Sequence, residues 1–306
     1  MKFIKNHKLQ ILSIILILIL SIYVIFFAIS SVKKNTTLKG EHRGQALYTI
    51  WHIETHEGGG KSRADYLKNI IHNMEKTNKE LLFVFRSINP ENLQAELNVS
   101  VPDIISFGYG VGSTILPHLQ SLENTYNIRD ELLESGSFNK KFYAAAYLMG
   151  GYAMFTHSNM ESEFHCGQND YINPSKIYST LNLKPIKQES QYEAYKSFVN
   201  SKKTSLLGST RDLFRINNLN NIGRTNAMIT PINTYTDLIQ YLAITKVDDV
   251  TTSFMNIALS VEQQSTLVDY SLFSTLYNKI YFSGIYESME DALYTCQIPN
   301  AFNEKL

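Results

Sequence analysis

Several groups of residues combine types and spacings that chemistry uses. Gly60-Lys61-Ser62 ends as a phosphate-binding loop ends, but that loop needs a glycine five residues before Gly60, where Thr55 stands. What remains is a flexible strand-to-helix loop presenting backbone N–H groups at a helix start, an edge suited to a small ligand. His52 and His56, with Glu54 or Glu57, offer donors of the kind zinc takes. Four residues along a strand place two side chains ~13 Å apart, too far for one ion unless the chain bends. His165-Cys166 is an isolated pair, so no metal is expected. The loop Gly110 to Thr114 lacks the Gly-x-Ser-x-Gly spacing of a nucleophile elbow. Asp248 and Asp249 are adjacent, so their side chains diverge, as in a solvated turn. With no positioned nucleophile and no acid/base pair, the chain reads as a protein that is not an enzyme and carries no cofactor.

Aromatic residues give a stronger signal. Nineteen tyrosines, sixteen phenylalanines and one tryptophan make 12% of the chain. Trp51, Phe107, Tyr109, Tyr147, Tyr152 and Phe273 fall near expected strand ends or loops. An aromatic face matches the apolar C–H face of a sugar ring, and Tyr, Asp, Glu and Arg address its hydroxyls. The same residue types also build cores, and Trp51 is expected there.

The elements that would position these groups follow from periodicity. Ala46 to Thr55 is β-rich, and Ser62 can cap a helix whose apolar stripe is Ala64, Leu67, Ile70, Ile71 and Met74. Leu81–Phe85 reads as a strand, Pro90–Leu97 as a short helix and Pro102–Phe107 as a third strand. This βαβαβ order implies a parallel sheet whose strand ends carry the glycine-rich loops, where ligands bind in such sheets. Leu119 to Phe142 reads as mainly helical, and Tyr143 to Phe155 as a strand bent at Gly150-Gly151. Further on, Gln191–Val199 is a helix, with strands at Thr204–Gly208, Ala227–Pro231 and Leu238–Ile244. The tail is helical at Thr252–Ala258, Val261–Tyr270 and Ser288–Tyr294. No repeat emerges.

The 306 residues carry 28 basic and 28 acidic side chains, a zero that hides segregation. Residues 1–40 hold six lysines and no acid, leaving 22 basic against 28 acidic residues, a net of −6, in the rest. An acidic body argues against nucleic-acid binding. Leu9 to Ser30 is almost wholly apolar, long enough to cross a bilayer, and follows Lys2, Lys5 and Lys8. It reads as an uncleaved signal anchor that sends the rest of the chain outward, or as a signal removed at the small-residue pair Ala28 and Ser30. No cysteine lies in it to accept a lipid, and residues 35–45 form a polar tether. Cys166 and Cys296 are open to two readings, one bridge or two buried thiols.

Six segments in order resemble bacterial extracellular solute-binding proteins of ABC importers, in the carbohydrate-binding family related to the maltose-binding protein. They are Thr49–Arg63, Pro102–Gly110, Tyr147–Tyr152, Leu206–Asp212, Tyr235–Ile244, and Leu259–Leu267 with Leu272–Ser274. The chain departs from the family in lacking the lipobox cysteine and in being short.

The resemblance implies a periplasmic-binding-protein-like α/β fold with two lobes joined by crossover strands near Leu148–Ala153 and Thr234–Leu238. It divides the chain into a lysine-flanked anchor or signal (1–34), a tether (35–45), lobe 1 (46–149 and 236–275) and a reduced lobe 2 (150–235 and 276–306). The ligand would be a small molecule of carbohydrate type, bound between the lobes outside the cytoplasmic membrane and passed to the permease subunits of the importer. The expected contacts are His56, Glu57, Ser62, Arg63 and Tyr109 from lobe 1, facing Met149, Gly150, Thr210, Arg211, Asp212 and Asp237. Arg63 and Asp212 have alternative roles at their own helix starts. A membrane-anchored sensory or interaction ectodomain of the same fold, without transport, is the second reading.

Overall fold

The computed structural model describes residues 46–55, 60–123, 126–157, 163–168, 177, 187–200 and 204–303. The anchor or signal (1–34), the whole tether (35–45) and the site candidates His56 and Glu57 lie outside these residues. Among the described residues, no helix is long and apolar enough to cross a membrane.

The first sheet contains strands β1 (Ala46–Ile53), β2 (Leu81–Ile88) and β3 (Ile104–Gly108). Helices α1 (Arg63–Thr77) and α2 (Leu93–Val99) connect them. Helix α1 starts where Ser62 accepts a hydrogen bond from the Ala64 N–H, and Asp65 and Lys76 suit the two ends of its dipole. Its buried stripe of Leu67, Ile70, Ile71 and Met74 is the one the sequence spacing predicts. β3 is buried along its whole length, as a strand with neighbours on both sides must be.

The stretch 119–142 departs from the helical expectation. Among its described residues only α3 (Asp130–Ser135) is helical, and β4 (Ser137–Phe138) and β5 (Lys141–Phe142) form a hairpin. Asn139 and Lys140 turn that hairpin with positive φ, a conformation a right-handed helix cannot pass through, and the close Ala144 carbonyl leaves no room for a side chain at Gly136.

After β6 (Ala145–Met149) the chain leaves the first sheet. The bent strand read over Tyr143–Phe155 is therefore two strands in two sheets, since β7 (Tyr152–Thr156) belongs to the second. That sheet adds β8 (Glu163–Gln168), β9 (Lys187–Ser190), β10 (Thr204–Ser209) and β11 (Met228–Pro231). Helices α4 (Gln191–Asn200) and α5 (Thr210–Asn221) flank β10 in the chain. β12 (Ile239–Ile244) then returns to the first sheet, antiparallel to both β3 and β6. The strand orders are β2-β1-β3-β12-β6 and β11-β7-β10-β8-β9.

Helix α6 (Asp249–Ala258) covers the first sheet, with Phe254 against Phe83. Asp248 is not in a free turn: it caps α6 through the Val250 and Thr251 N–H groups and accepts from Tyr48. The helix expected over 261–270 is present as a short α-helix at Val261–Ser265 that continues as a 3₁₀ helix over Thr266–Tyr270. Helix α7 (Gly284–Leu293) packs its Met289 and Leu293 beside Gly151. The remaining tail pairs beside the returning crossover, where Thr236 N–H donates to Gln297 and Gln297 N–H to Thr234. It ends with Phe302 against Phe107, Phe138 and Tyr143. Both cysteines are free and buried, which decides between the two readings of the pair.

Candidate functional site

At the carboxyl end of β1 the first lobe carries a buried polar chain. Arg63, only 5% exposed, donates from Nη1 to Gln240 Oε1 at 2.7 Å. Gln240 in turn donates from Nε2 to Ser106 Oγ at 2.9 Å. Ser106 also meets His52 Nδ1 at 2.9 Å and the Tyr147 hydroxyl at 3.0 Å. Burial, with the positive charges of Arg63 and Lys68, holds the His52 pKa well below its ordinary value. A Ser–His pair at this distance has the form of a nucleophile and its base, but Ser106 is fully buried and engaged on three sides. Its role here is to fix Gln240, and through it the Arg63 guanidinium, at the strand ends. Among the described residues, no group of three His, Cys, Asp or Glu is placed to hold a metal ion.

The crossing between lobes is made of Gly150 and Gly151, and both positions exclude a side chain. A Cβ on Gly150 would stand 2.8 Å from Thr210 Oγ1, and one on Gly151 2.8 Å from Leu293 Cδ2. Their peptide groups are gripped from three sides. Gly150 N–H donates to the Leu238 carbonyl at 2.6 Å, and Thr236 Oγ1 donates to the Gly150 carbonyl at 2.8 Å. Thr210 Oγ1 accepts from Gly151 N–H at 2.7 Å and donates to the Gly151 carbonyl at 3.1 Å. Met149 precedes the pair and meets Phe273 in an isolated antiparallel bridge. The fully buried Arg129 reaches the Met149 sulfur and the Leu293 carbonyl and stacks over Tyr294, 4.5 Å from its centroid. It ties β6 of the first sheet to α7 beside the crossing.

From the second lobe, α5 begins at the carboxyl end of β10. Asp212 accepts from the Ser209 N–H at 3.0 Å and lies 3.4 Å from Arg211 Nη2. It therefore serves as the acid of its own helix start, the alternative the sequence allowed, and burial raises its pKa. Asp237 accepts from the Tyr152 hydroxyl at 2.6 Å, and Tyr235 bonds it as well. Burial and the Asp237 charge push the Tyr152 phenol upward.

The structure thus brings Met149, Gly150, Thr210, Arg211, Asp212 and Asp237 together around the hinge, and sets Ser62, Arg63 and Tyr109 at the strand ends of the first lobe. Ser62 is exposed and caps α1, whereas Arg63, Tyr109, Arg211, Asp212 and Asp237 are buried. Trp51 is buried, as expected of a core residue, and Phe107, Tyr109, Tyr147, Tyr152 and Phe273, open to a sugar-facing or a core reading, are buried as well. They sit near strand ends, as read; Trp51, Phe107, Tyr147, Tyr152 and Phe273 pack into the hydrophobic clusters, whereas Tyr109 is buried outside them.

Sequence reasoning missed three contributors. Gln240 lies in a continuous apolar strand, and that single polar interruption was the available signal. Arg129 gave no signal beyond its charge. Phe214, one turn into α5, approaches Gly60 of the first lobe, where a Cβ would stand 2.8 Å from its ring. A groove of about 360 Å³ between α3 and the tail, lined by Glu131, Glu134, Ser135, Cys296, Gln297, Ile298 and Asn300, lies apart from these residues.

No protein-family model matches the sequence, and no curated protein matches it. Among solved structures, the fold is similar to the GacH receptor of Streptomyces glaucescens, determined unliganded and with acarbose. The TM-score is 0.59 at 11% identity, covering 83% of this chain and 87% of that one. The maltodextrin binding protein MalE1 from L. casei gives a TM-score of 0.58 at 10% identity, over 84% and 88%. A two-component system protein described as mediating signal transduction gives 0.54 at 13% identity, over 80% and 93%. At these identities the likeness is one of fold: the chain has the two-lobed, periplasmic-binding-protein-like α/β architecture.

Proposed function

We propose that this chain is an extracellular solute-binding protein that takes a sugar or oligosaccharide between its lobes and delivers it to the permease of an ABC importer. The observation that carries this reading is the hinge. Two five-stranded sheets are joined by a Gly-Gly crossing, whose peptide groups bond to Thr210, Thr236 and the Leu238 carbonyl, and by a second crossing between β11 and β12. Such a joint allows one lobe to rotate on the other around a ligand. A ligand drives that rotation only by contacts it makes better in the closed form, so both lobes must contribute. Ser62, Arg63 and Tyr109, with His56 and Glu57, are the first lobe's contribution, and the start of α5 is the second's. Sugar recognition is supported by the fold's likeness to proteins solved with acarbose or named for maltodextrin.

The ectodomain reading is favoured by a different observation. Arg211, Asp212 and Asp237 are buried in internal hydrogen bonds, which leaves few free polar groups for a ligand, and one similar fold belongs to a signal-transduction protein. A thermal-shift screen of the full chain against oligosaccharides, amino acids, polyamines and metal ions separates the two. A ligand at 100 times its Kd adds about 2.7 kcal/mol to stability, a shift of several degrees. A shift with one sugar class supports import; silence across the panel from a well-folded protein favours the ectodomain.

A further inference from the structure

The amino-terminal rim of the first sheet leaves four apolar side chains in water. Leu47, Val99, Val101 and Val247 are each at least 42% exposed. One such residue is ordinary on a surface, but these come from three segments that converge. β1 and β3 run parallel with Ile50 beside Ile104. The pairing continues toward the rim, where Asp103 N–H donates to the Thr49 carbonyl at 3.0 Å and Thr49 Oγ1 donates to the Asp103 carboxylate at 2.9 Å. The same register carried to the edge sets Leu47 beside Val101. β12 runs the other way and ends at this edge, with Thr245 N–H donating to the Asp103 carbonyl at 3.0 Å. Val247 follows, between two residues that touch Tyr48, the neighbour of Leu47. The Lys246 ammonium lies 5.0 Å from the Tyr48 ring centre, and Asp248 accepts from the Tyr48 hydroxyl at 3.0 Å. Val99 closes α2 just before Val101.

The chain enters the folded body at this rim. Ala46 opens β1, and residues 31–45 join it to the apolar run Leu9–Ser30. Fully extended, that link spans at most about 50 Å. Four side chains offer far less than the ~800 Å² per partner that a stable dimer buries, so a second copy is a poor occupant. A lipid surface needs no such area. A few apolar side chains enter the headgroup boundary, and covalent attachment to an anchor in the same bilayer supplies the local concentration.

We propose that this rim is a lipid-docking surface, with Leu47, Val99, Val101 and Val247 seated at the headgroup boundary of the bilayer that holds Leu9–Ser30. This rests on the anchor reading of that run. The carboxyl ends of β1 and β3, with Ser62, Arg63 and Tyr109, form the opposite edge of the sheet. Docking therefore turns the candidate ligand edge away from the lipid, and delivery to a permease requires the body to lift off its rim.

The test uses the full chain reconstituted in vesicles of phosphatidylethanolamine and phosphatidylglycerol. Leu47→Cys, Val101→Cys and Val247→Cys are each labelled with an environment-sensitive fluorophore, since both native thiols are buried. Ile222→Cys, exposed in the second lobe, is the control, and melting curves confirm that each labelled protein folds. The rim labels are expected to shift to the blue and to lose emission to lipids carrying a nitroxide near the headgroup, with the Ile222 label unchanged. Rim emission like that of the Ile222 label, in protein that floats with the vesicles, overturns docking and leaves the anchor intact. A blue shift without nitroxide quenching gives the rim to protein, a second copy included, and overturns the lipid occupant. Protein that does not float with the vesicles refutes the anchor reading and this inference with it, while the sugar reading is decided separately by the melting screen.

Discussion

The Thr210 hydroxyl closes a two-way hydrogen bond on Gly151, accepting from its N–H at 2.7 Å and donating to its carbonyl at 3.1 Å. One side chain of the second lobe thereby satisfies the peptide at which the chain crosses from the first. Thr210→Val keeps the shape and removes both bonds, leaving a buried N–H unpaired at a cost of about 1–3 kcal/mol. Thr210→Ser is expected to restore most of it. Urea unfolding of the three proteins measures the difference, and equal midpoints for valine and threonine would remove the hydroxyl from the account.

Gly151 is expected to tolerate no side chain. Its Cβ would stand 2.8 Å from Leu293 Cδ2 and 2.9 Å from Met289 Sδ, so Gly151→Ala should cost about 1–3 kcal/mol by overpacking. The double variant Gly151→Ala with Leu293→Ala should recover part of that loss, which a thermodynamic cycle reads directly.

The tail's last described ring is an anchor. Phe302 is 3% exposed and packs on Phe107, Phe138 and Tyr143, so Phe302→Ala should cost about 3–5 kcal/mol. A loss under about 1 kcal/mol in urea unfolding would mean that the tail is not part of the folded body.

Acid should destabilise the protein through His52. Burial and the charges of Arg63 and Lys68 keep its folded pKa well below the ordinary value, so the unfolded chain binds a proton that the folded chain refuses. Stability from this group is present above about pH 6.5 and is lost as pH falls below it, at up to about 1.4 kcal/mol per pH unit. His52→Gln should flatten that part of the profile between pH 7.5 and 5. An identical slope in both proteins would place the acid sensitivity elsewhere.

Both thiols are buried, and burial pushes each cysteine pKa up to about 12. A thiol reagent should find neither in the native protein and two after denaturation without reductant. Two unreactive sulfurs in the denatured chain would mean a bridge.

Much of this arrangement was legible in the sequence because it depends on local rules. The α1 stripe and the Ser62 cap follow from spacing, and the Gly150-Gly151 pair marked the crossing without revealing what gripped it. What stayed hidden depends on distant partners. Arg63 and Gln240 are 177 positions apart, and Gly60 and Phe214 meet only once both lobes exist. The aromatics stayed open between sugar face and core, because the direction of a ring near a strand end is set by packing that sequence order does not record. The helix read over 119–142 failed at Asn139-Lys140, where two positive-φ residues make a hairpin from a polar stretch with no strong turn signature.

The most direct test of ligand binding between the lobes is hydrogen exchange of the full chain, with and without the sugar that shifts its melting most. Binding in the inter-lobe cleft predicts slower exchange in 60–70 of the first lobe, in 210–221 of the second, and across the hinge at 148–153, all at the same sugar concentration. Slower exchange confined to one lobe, or no change in either, would contradict it.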